Sequence, residues 1–337
     1  MLRIGAFGEI MMRLQTPDHR LLRQSDSLHM SFSGTGVNVL SALSNYGHQG
    51  YLISKLPATS VGDAAEAALR RLGIHTDYLI RGDAYLGLYF LEKGFGVRPS
   101  KVTYTNRLDS SFNTAKLAEY KFHQVAKELD AVHFCGITLA MNDAVREQVL
   151  TLAKVMKELG KRVIFDCNYR PTLWGENGYE KAKIYYEKML YLADLVMMNE
   201  RDAISILGIS TEHLTRKEQL LDVIPEVARH YKIEQIAGTH RDIHRDNQHS
   251  LTGFMYLDET MTFSKTITFA VYDRIGSGDA FTSGIIHGYE QDFSAKETVD
   301  FATVASMIAH STEGDTPMSS ENDILRMMSE SVGDVER

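Results

Sequence analysis

The chain has 337 residues, 44% of them hydrophobic and 24% charged, with 25 glycines and 6 prolines. That is enough for one large α/β domain or two average ones, and it excludes disordered, collagen-like and low-complexity classes. With 36 basic against 44 acidic side chains the net charge is −8, so a nucleic-acid partner is disfavoured and any anionic ligand must be held by local features. No apolar run reaches the roughly 18 residues of a membrane span, and Arg3 and Glu9 interrupt any signal-peptide core. Cys135 and Cys167 lie in apolar runs without CxxC spacing, the pattern of buried thiols in a reducing compartment. A cytoplasmic protein is expected, with no membrane partner and no disulfide.

The first predicted element is a strand in IGAFGEI. From about 11 to 32 and again from about 85 to 112, strand-like runs such as LGLYFLEK and SKVTYTN occur without intervening helices. Strands that fit no βαβ unit suggest a small β layer beside the main sheet, serving as a lid or as a surface for a second copy. Ser33-Gly-Thr-Gly-Val-Asn38 reads as a glycine turn before the helix VLSALSNYG. Further on, AVHFCGI, DAVREQVLTLAKVMKELG, KRVIFDCN, GYEKAKIYYEKMLYLA, DLVMMN and ERDAISILG alternate strand and helix patterns. Strands with so few polar residues belong to a parallel sheet covered on both faces, joined by right-handed crossovers. No repeat and no flexible linker divides the chain, which predicts one α/β domain over 1–337 with lid segments at about 11–32 and 85–112.

Three segments carry chemistry. The strand Val163-Ile-Phe-Asp-Cys-Asn-Tyr-Arg170 ends in Asp166, Asn168 and Arg170, at the carboxyl edge of a parallel sheet where open α/β folds bind ligands. Arg170 is either a ligand contact or a surface ion-pairing arginine. In Thr239-His-Arg-Asp-Ile-His-Arg-Asp-Asn-Gln-His249, His240 and His244 are four apart. The Asn, Gln and Ser that follow, and a strand resuming at Leu251, favour a solvated loop over a metal-binding helix. In Val271-Tyr-Asp-Arg-Ile-Gly-Ser-Gly-Asp-Ala-Phe281 a strand leads into a helix. The amides of Gly276, Ser277 and Gly278 lie open at its positive end, an anion cradle, and Asp279 in the first turn is able to accept a proton from a hydroxyl. The alternative is a tight turn with an aspartate cap.

Asp273 to Phe281 resembles the Asp-x-x-Gly-Ala-Gly-Asp-x-Phe signature of the PfkB/ribokinase family of carbohydrate kinases, with Ser277 in place of Ala. The resemblance covers nearly the whole chain and implies a ribokinase-like three-layer α/β/α fold with a mostly parallel sheet and a small β lid. It implies ATP and Mg²⁺, raises a monovalent cation as a further cofactor, and makes Asp279 the catalytic base within an anion hole of Gly276, Ser277 and Gly278. Gly34 and Asn38 match the family's sugar-binding Gly-Gly-x-x-x-Asn motif, with Ser33 at the first glycine. Asn199 and Asp202 resemble the Asn-x-x-Glu element that positions a Mg²⁺–phosphate water network, although Asn199 also reads as a helix cap. Thr239 and Arg241 correspond to nucleotide-phosphate contacts, and Phe301 to Asp315 looks like the helix and Gly-Asp turn that flank the adenine.

Within the family, Asp166-x-Asn168-x-Arg170-x-x-Leu-Trp174 and the residues Tyr89, Tyr104 and Arg107 resemble the 2-keto-3-deoxygluconate kinase branch, whose lid tyrosines and arginines hold an acid sugar. A guanidinium fork matches a carboxylate in a way that a neutral hexose does not require. Between Tyr104 and Ser110 the chain is one residue longer than the branch pattern, which leaves the facing of Arg107 open. The reaction implied is ATP-dependent phosphorylation of 2-keto-3-deoxygluconate at its 6-hydroxyl, giving the 6-phosphate and ADP. Alternatives are a fructokinase- or ribokinase-like kinase and a sugar-sensing protein without catalysis, the latter opposed by retention of Asp279. A homodimer or larger homo-oligomer through exposed lid edges is expected.

Overall fold

The computed structural model describes residues 1–245 and 247–329. In chain order its strands are Arg3–Phe7 (β1), Met11–Gln15 (β2), His29–Ser33 (β3), Gln49–Leu56 (β4), Leu79–Arg81 (β5), Gly87–Glu92 (β6) and Lys101–Thr105 (β7). Then come Ala131–Cys135 (β8), Arg162–Asp166 (β9), Leu195–Met197 (β10), Gln235–Ile243 (β11), Gln248–Leu257 (β12), Thr260–Phe263 (β13) and Ile267–Ala270 (β14).

The large sheet has the order β13-β12-β11-β10-β9-β8-β1-β4-β5, with β14 also paired to β12. From β11 to β5 the neighbours are parallel, and β12 to β14 form an antiparallel edge. Side-chain alternation sorts the apolar strands onto two cores. Val132, Phe134, Val163 and Phe165 pack on one face with Val145, Val149 and Leu152 of the helix Asp143–Glu158. Ala131 and Ile164 pack on the other with Leu40, Phe281 and Phe301 from the helices Thr35–Asn45, Ser277–Glu290 and Ala295–Ala309. This is the expected α/β/α layering, produced by strands with two buried faces. Both cysteines are buried and free, and among the described residues no helix is long and apolar enough to cross a membrane.

A second sheet, ordered β3-β2-β6-β7, is built from the two helix-poor segments. Its β2 and β6 are parallel, the other pairs antiparallel. The stretch around His240 differs from its expectation. It is not a solvated loop: β11 continues to Ile243 and β12 begins at Gln248, with His240 paired opposite Thr252. The antiparallel ladder satisfies the backbone there, so the polar composition sets the outer face of a hairpin rather than breaking it.

The chain runs from β1 outward to β4 and β5, then returns to β8 on the other side of β1 and continues to β11. That reversal is a topological switch point, and it opens a crevice at the carboxyl ends of the strands.

Candidate active site

The crevice is a cleft of about 720 Å³ between the carboxyl ends of β9 to β11, the start of the helix Ser277–Glu290, and Met11, Tyr89, Val102 and Tyr104 of the second sheet. Gly34, Asn38, Tyr89, Tyr104, Arg107, Arg170, Asn199, Asp202, Thr239, Arg241 and Gly276 to Asp279 all line it. Residues singled out from distant parts of the sequence therefore share one cavity.

The Asp273 carboxylate accepts the backbone N–H groups of Arg274 at 2.7 Å and Ile275 at 3.3 Å, folding the loop that precedes the helix. Gly276 follows with φ 85°, and a Cβ there would stand 1.7 Å from the Asp315 carbonyl oxygen. A glycine is required on both counts. At Gly278 an added Cβ would meet nothing within 4 Å, so the first turn of the helix faces open space. Asp279, next in that turn, is buried, and its Oδ2 accepts from Asn38 Nδ2 at 2.7 Å. Burial pushes its carboxyl up to about 7; the Asn38 bond and Arg170 oppose that rise, and Asp166 adds to it. A carboxyl poised there can take a proton at neutral pH.

Two more acids face the same space. Burial, with Asp202 nearby, raises Asp166 to about 7 against the pull of Arg170, and burial, with Glu200 nearby, raises Asp202 to about 6. Asp202 accepts the Asn199 N–H at 2.9 Å while Asn199 Oδ1 accepts from Arg201 N, so the helix-cap reading of Asn199 holds. Among the described residues no group of three or more His, Cys, Asp or Glu side chains is set to hold a metal. Mg²⁺ that arrives on phosphates needs just one or two protein carboxylates, and the costly burial of Asp166 and Asp202 is what a dication relieves, so the pair fits Mg²⁺.

Three features escaped the sequence reading. Glu200 is fully buried between Arg216 Nε at 2.6 Å and His240 Nε2 at 2.8 Å. Burial alone would raise its pKa, but these bonds hold it down at about 2. Arg274 lines the cleft beside Arg241 and depresses the latter's pKa after burial does. Burial first, and then both arginines, push His249 and His310 down to about 4. An arginine two positions before the first cradle glycine was the available signal for this positive corner. Arg13 is the third, discussed below.

The residues expected to hold an acid sugar have uneven surroundings. Arg170 is exposed and donates through Nη1 to the Tyr169 carbonyl at 3.2 Å. Arg107 Nε donates to Glu9 Oε2 at 2.8 Å, its guanidinium lies 4.8 Å from the Tyr104 ring centre, and its Nη1 is buried without a hydrogen-bond partner among the described residues. β7 ends at Thr105 and Asn106 has φ 50°, so the chain turns before Arg107 and strand alternation does not govern its facing. The Tyr89 hydroxyl is engaged by Ser33 and Asp315.

Residues 1–322 match the family described as pfkB family carbohydrate kinase. A 2-dehydro-3-deoxygalactonokinase of Haloferax volcanii is 25% identical over 96% of this chain and 95% of its own. A 2-dehydro-3-deoxygluconokinase of Thermoproteus tenax is 24% identical over 94% and 90%. Among solved structures, the 2-dehydro-3-deoxygluconokinase of Thermotoga maritima superposes with a TM-score of 0.92 at 32% identity, covering 98% of this chain and 100% of that one. A protein from Enterococcus faecalis reaches 0.96 at 37%, covering 100% and 99%. With the ribokinase-like layers, the glycine cradle and its adjoining aspartate in one cleft, the chain belongs to the pfkB family of carbohydrate kinases and is a sugar kinase.

Proposed function

We propose that the protein phosphorylates the 6-hydroxyl of 2-keto-3-deoxygluconate with ATP, giving 2-keto-3-deoxy-6-phosphogluconate and ADP. The observation that carries this reading is Asp279, a buried carboxyl raised to about 7 in the first turn of a helix whose amides face an open cradle. Asp279 takes the proton of the sugar hydroxyl while the Gly276, Ser277 and Gly278 amides stabilise charge on the transferred phosphoryl group. Arg241 and Arg274, with Thr239, hold the polyphosphate. Asp166 and Asp202 would hold Mg²⁺, which would supply positive charge against the phosphate oxygens. Arg170 and Arg107 recognise the sugar carboxylate, with Gly34 and Asn38 at the sugar itself.

The small sheet acts as a lid over the sugar, and its edge strands β3 and β7 carry Met30 at 60% exposure and Val102 at 40%, which favours a homodimer through these edges. The cytoplasm is the compartment that fits two buried thiols. The relatives' names support a keto-deoxy sugar acid as substrate, and the galactonate name makes the C4 epimer the second candidate. The test is ADP release with 2-keto-3-deoxygluconate, 2-keto-3-deoxygalactonate, fructose and ribose. Turnover confined to the neutral sugars discards the substrate assignment, and no ADP from any sugar discards the kinase.

A further inference from the structure

We propose that Asp315 is a positioning residue that couples the small sheet to the anion cradle, so that the cradle holds its working geometry when that sheet is seated. The inference rests on the kinase reading above. Three strands of the small sheet converge on this one carboxylate, which lies outside it. Arg13 of β2 forms an ion pair with Asp315, Ser33 Oγ of β3 donates to it at 2.7 Å, and the Tyr89 hydroxyl of β6 donates to it as well. The Arg13 guanidinium also stands 3.7 Å from Asp273, whose carboxylate folds the loop before Gly276. These side chains are sealed from water, Arg13 at 2%, Asp273 at 6% and Asp315 at 5% exposure. Two positions earlier, Glu313 accepts from Gln15 Nε2 at 2.9 Å and Lys93 Nζ at 2.7 Å, fastening the same loop a second time.

The other end of the coupling is the backbone. The Asp315 carbonyl is packed so closely on Gly276 that no side chain fits between them. Moving the small sheet away would strand two buried carboxylates without their guanidinium, a large cost unless the 313–315 loop moves too, and that loop abuts Gly276. Seating the sheet and shaping the cradle are therefore one event, which suits a phosphoryl transfer that must exclude water before the cradle is complete. Ser33, which departs from the family's first glycine, supplies one of the three bonds.

The test uses the full ligand-free chain, with Asp315→Asn, Arg13→Met and their double variant, and with Arg13→Lys as the milder change should either single variant not fold. Amide exchange is followed in peptides covering 29–33, 87–92 and 274–279, and kcat and KM are measured per folded molecule. Each single variant should speed exchange in the cradle peptide together with the sheet peptides, by about tenfold or more, and lower kcat by about tenfold or more. The double variant should be no worse than Arg13→Met alone, because Asp315 is then no longer left charged without its guanidinium. Faster exchange in the sheet peptides with an unchanged cradle, or kcat per folded molecule within about twofold of the parent, overturns the coupling. The parent's ADP release tests the kinase reading separately, and the exchange measurement needs no sugar.

Discussion

Asn38 and Asp279 lie 241 positions apart and meet at 2.7 Å, with the amide Nδ2 donating to the carboxylate. The bond joins the helix that follows β3 of the small sheet to the helix that begins at the cradle, and it steadies the charged form of an acid that burial would otherwise keep protonated. Asp279→Asn keeps the shape and an acceptor for Asn38 but has no base. It should lower kcat by about 10²- to 10⁴-fold while ATP binding by calorimetry is nearly unchanged. Turnover close to that of the parent would remove Asp279 from the mechanism.

The pH profile follows from the same residue. The proposed base must be deprotonated to act, and the Asp279 pKa is raised to about 7, so kcat/KM for the sugar should rise with pH through an apparent value near 7 and level off above it. Asp166 adds to that rise, and Mg²⁺ held there would keep Asp166 itself ionised in the working enzyme, so the midpoint follows Asp279. Asn38→Ala deletes the bond that favours the carboxylate and should move the midpoint upward. A midpoint that stays put would mean that another group controls the profile.

Stability should carry the opposite signature. A carboxyl whose folded-state pKa is raised from 3.8 to about 7 binds its proton more tightly in the native than in the unfolded chain. Its destabilising effect is absent below the unfolded value, grows as pH rises between the two, and is complete above about 7. Asp279→Asn should therefore melt higher than the parent at pH 8, by something on the order of 1–3 kcal/mol in stability, with the gap shrinking toward pH 4. Melting curves at pH 4, 6 and 8 check this, and a gap independent of pH would contradict it.

Much of the architecture is written locally. The continuously apolar strands β8 and β9 and the amphipathic helix Asp143–Glu158 announce their partners, and the glycines before Asp279 announce a helix start. The small sheet was legible for a negative reason, since strands without crossover helices had nowhere to go in the main sheet. What stayed hidden depends on pairing across the fold. Arg13 reads in sequence as an ordinary strand arginine, and its buried partners Asp273 and Asp315 lie 260 and 302 positions away. Glu200 looks like a first-turn acid until Arg216 and His240 close on it. The hairpin around His240 was missed because cross-strand bonds, not side-chain pattern, hold polar residues in β11 and β12.

The two arginines proposed for the sugar carboxylate should separate in their effects. Arg170 is exposed and bonded to a neighbouring carbonyl, whereas Arg107 is already tied to Glu9. Arg170→Ala should lower kcat/KM for the keto-deoxy acid by about 1.5–3 kcal/mol, the scale of a hydrogen bond to a charged group, with far smaller losses on neutral sugars. Arg107→Ala should cost activity and stability together, because it leaves the Glu9 carboxylate buried without its cation. Equal losses on acid and neutral sugars for Arg170→Ala would detach it from the carboxylate.

The cradle glycines give the sharpest contrast. At Gly276 the backbone is left-handed and a Cβ would stand 1.7 Å from the Asp315 carbonyl, so Gly276→Ala must push the 313–315 loop away and should lower stability and activity together. At Gly278 the backbone is helical and a Cβ would touch nothing within 4 Å. Alanine there is the better helix former, by up to about 1 kcal/mol, so Gly278→Ala should melt at or above the parent's temperature. Its methyl nevertheless projects into the open space where the proposed mechanism brings the transferred phosphoryl group to the amides, and a displacement of about 1 Å is enough to cost about 10²-fold in rate. Gly278→Ala should therefore be a stable protein with kcat reduced by roughly that factor. Full turnover in a well-folded Gly278→Ala protein would mean that the phosphoryl group is not held at this turn.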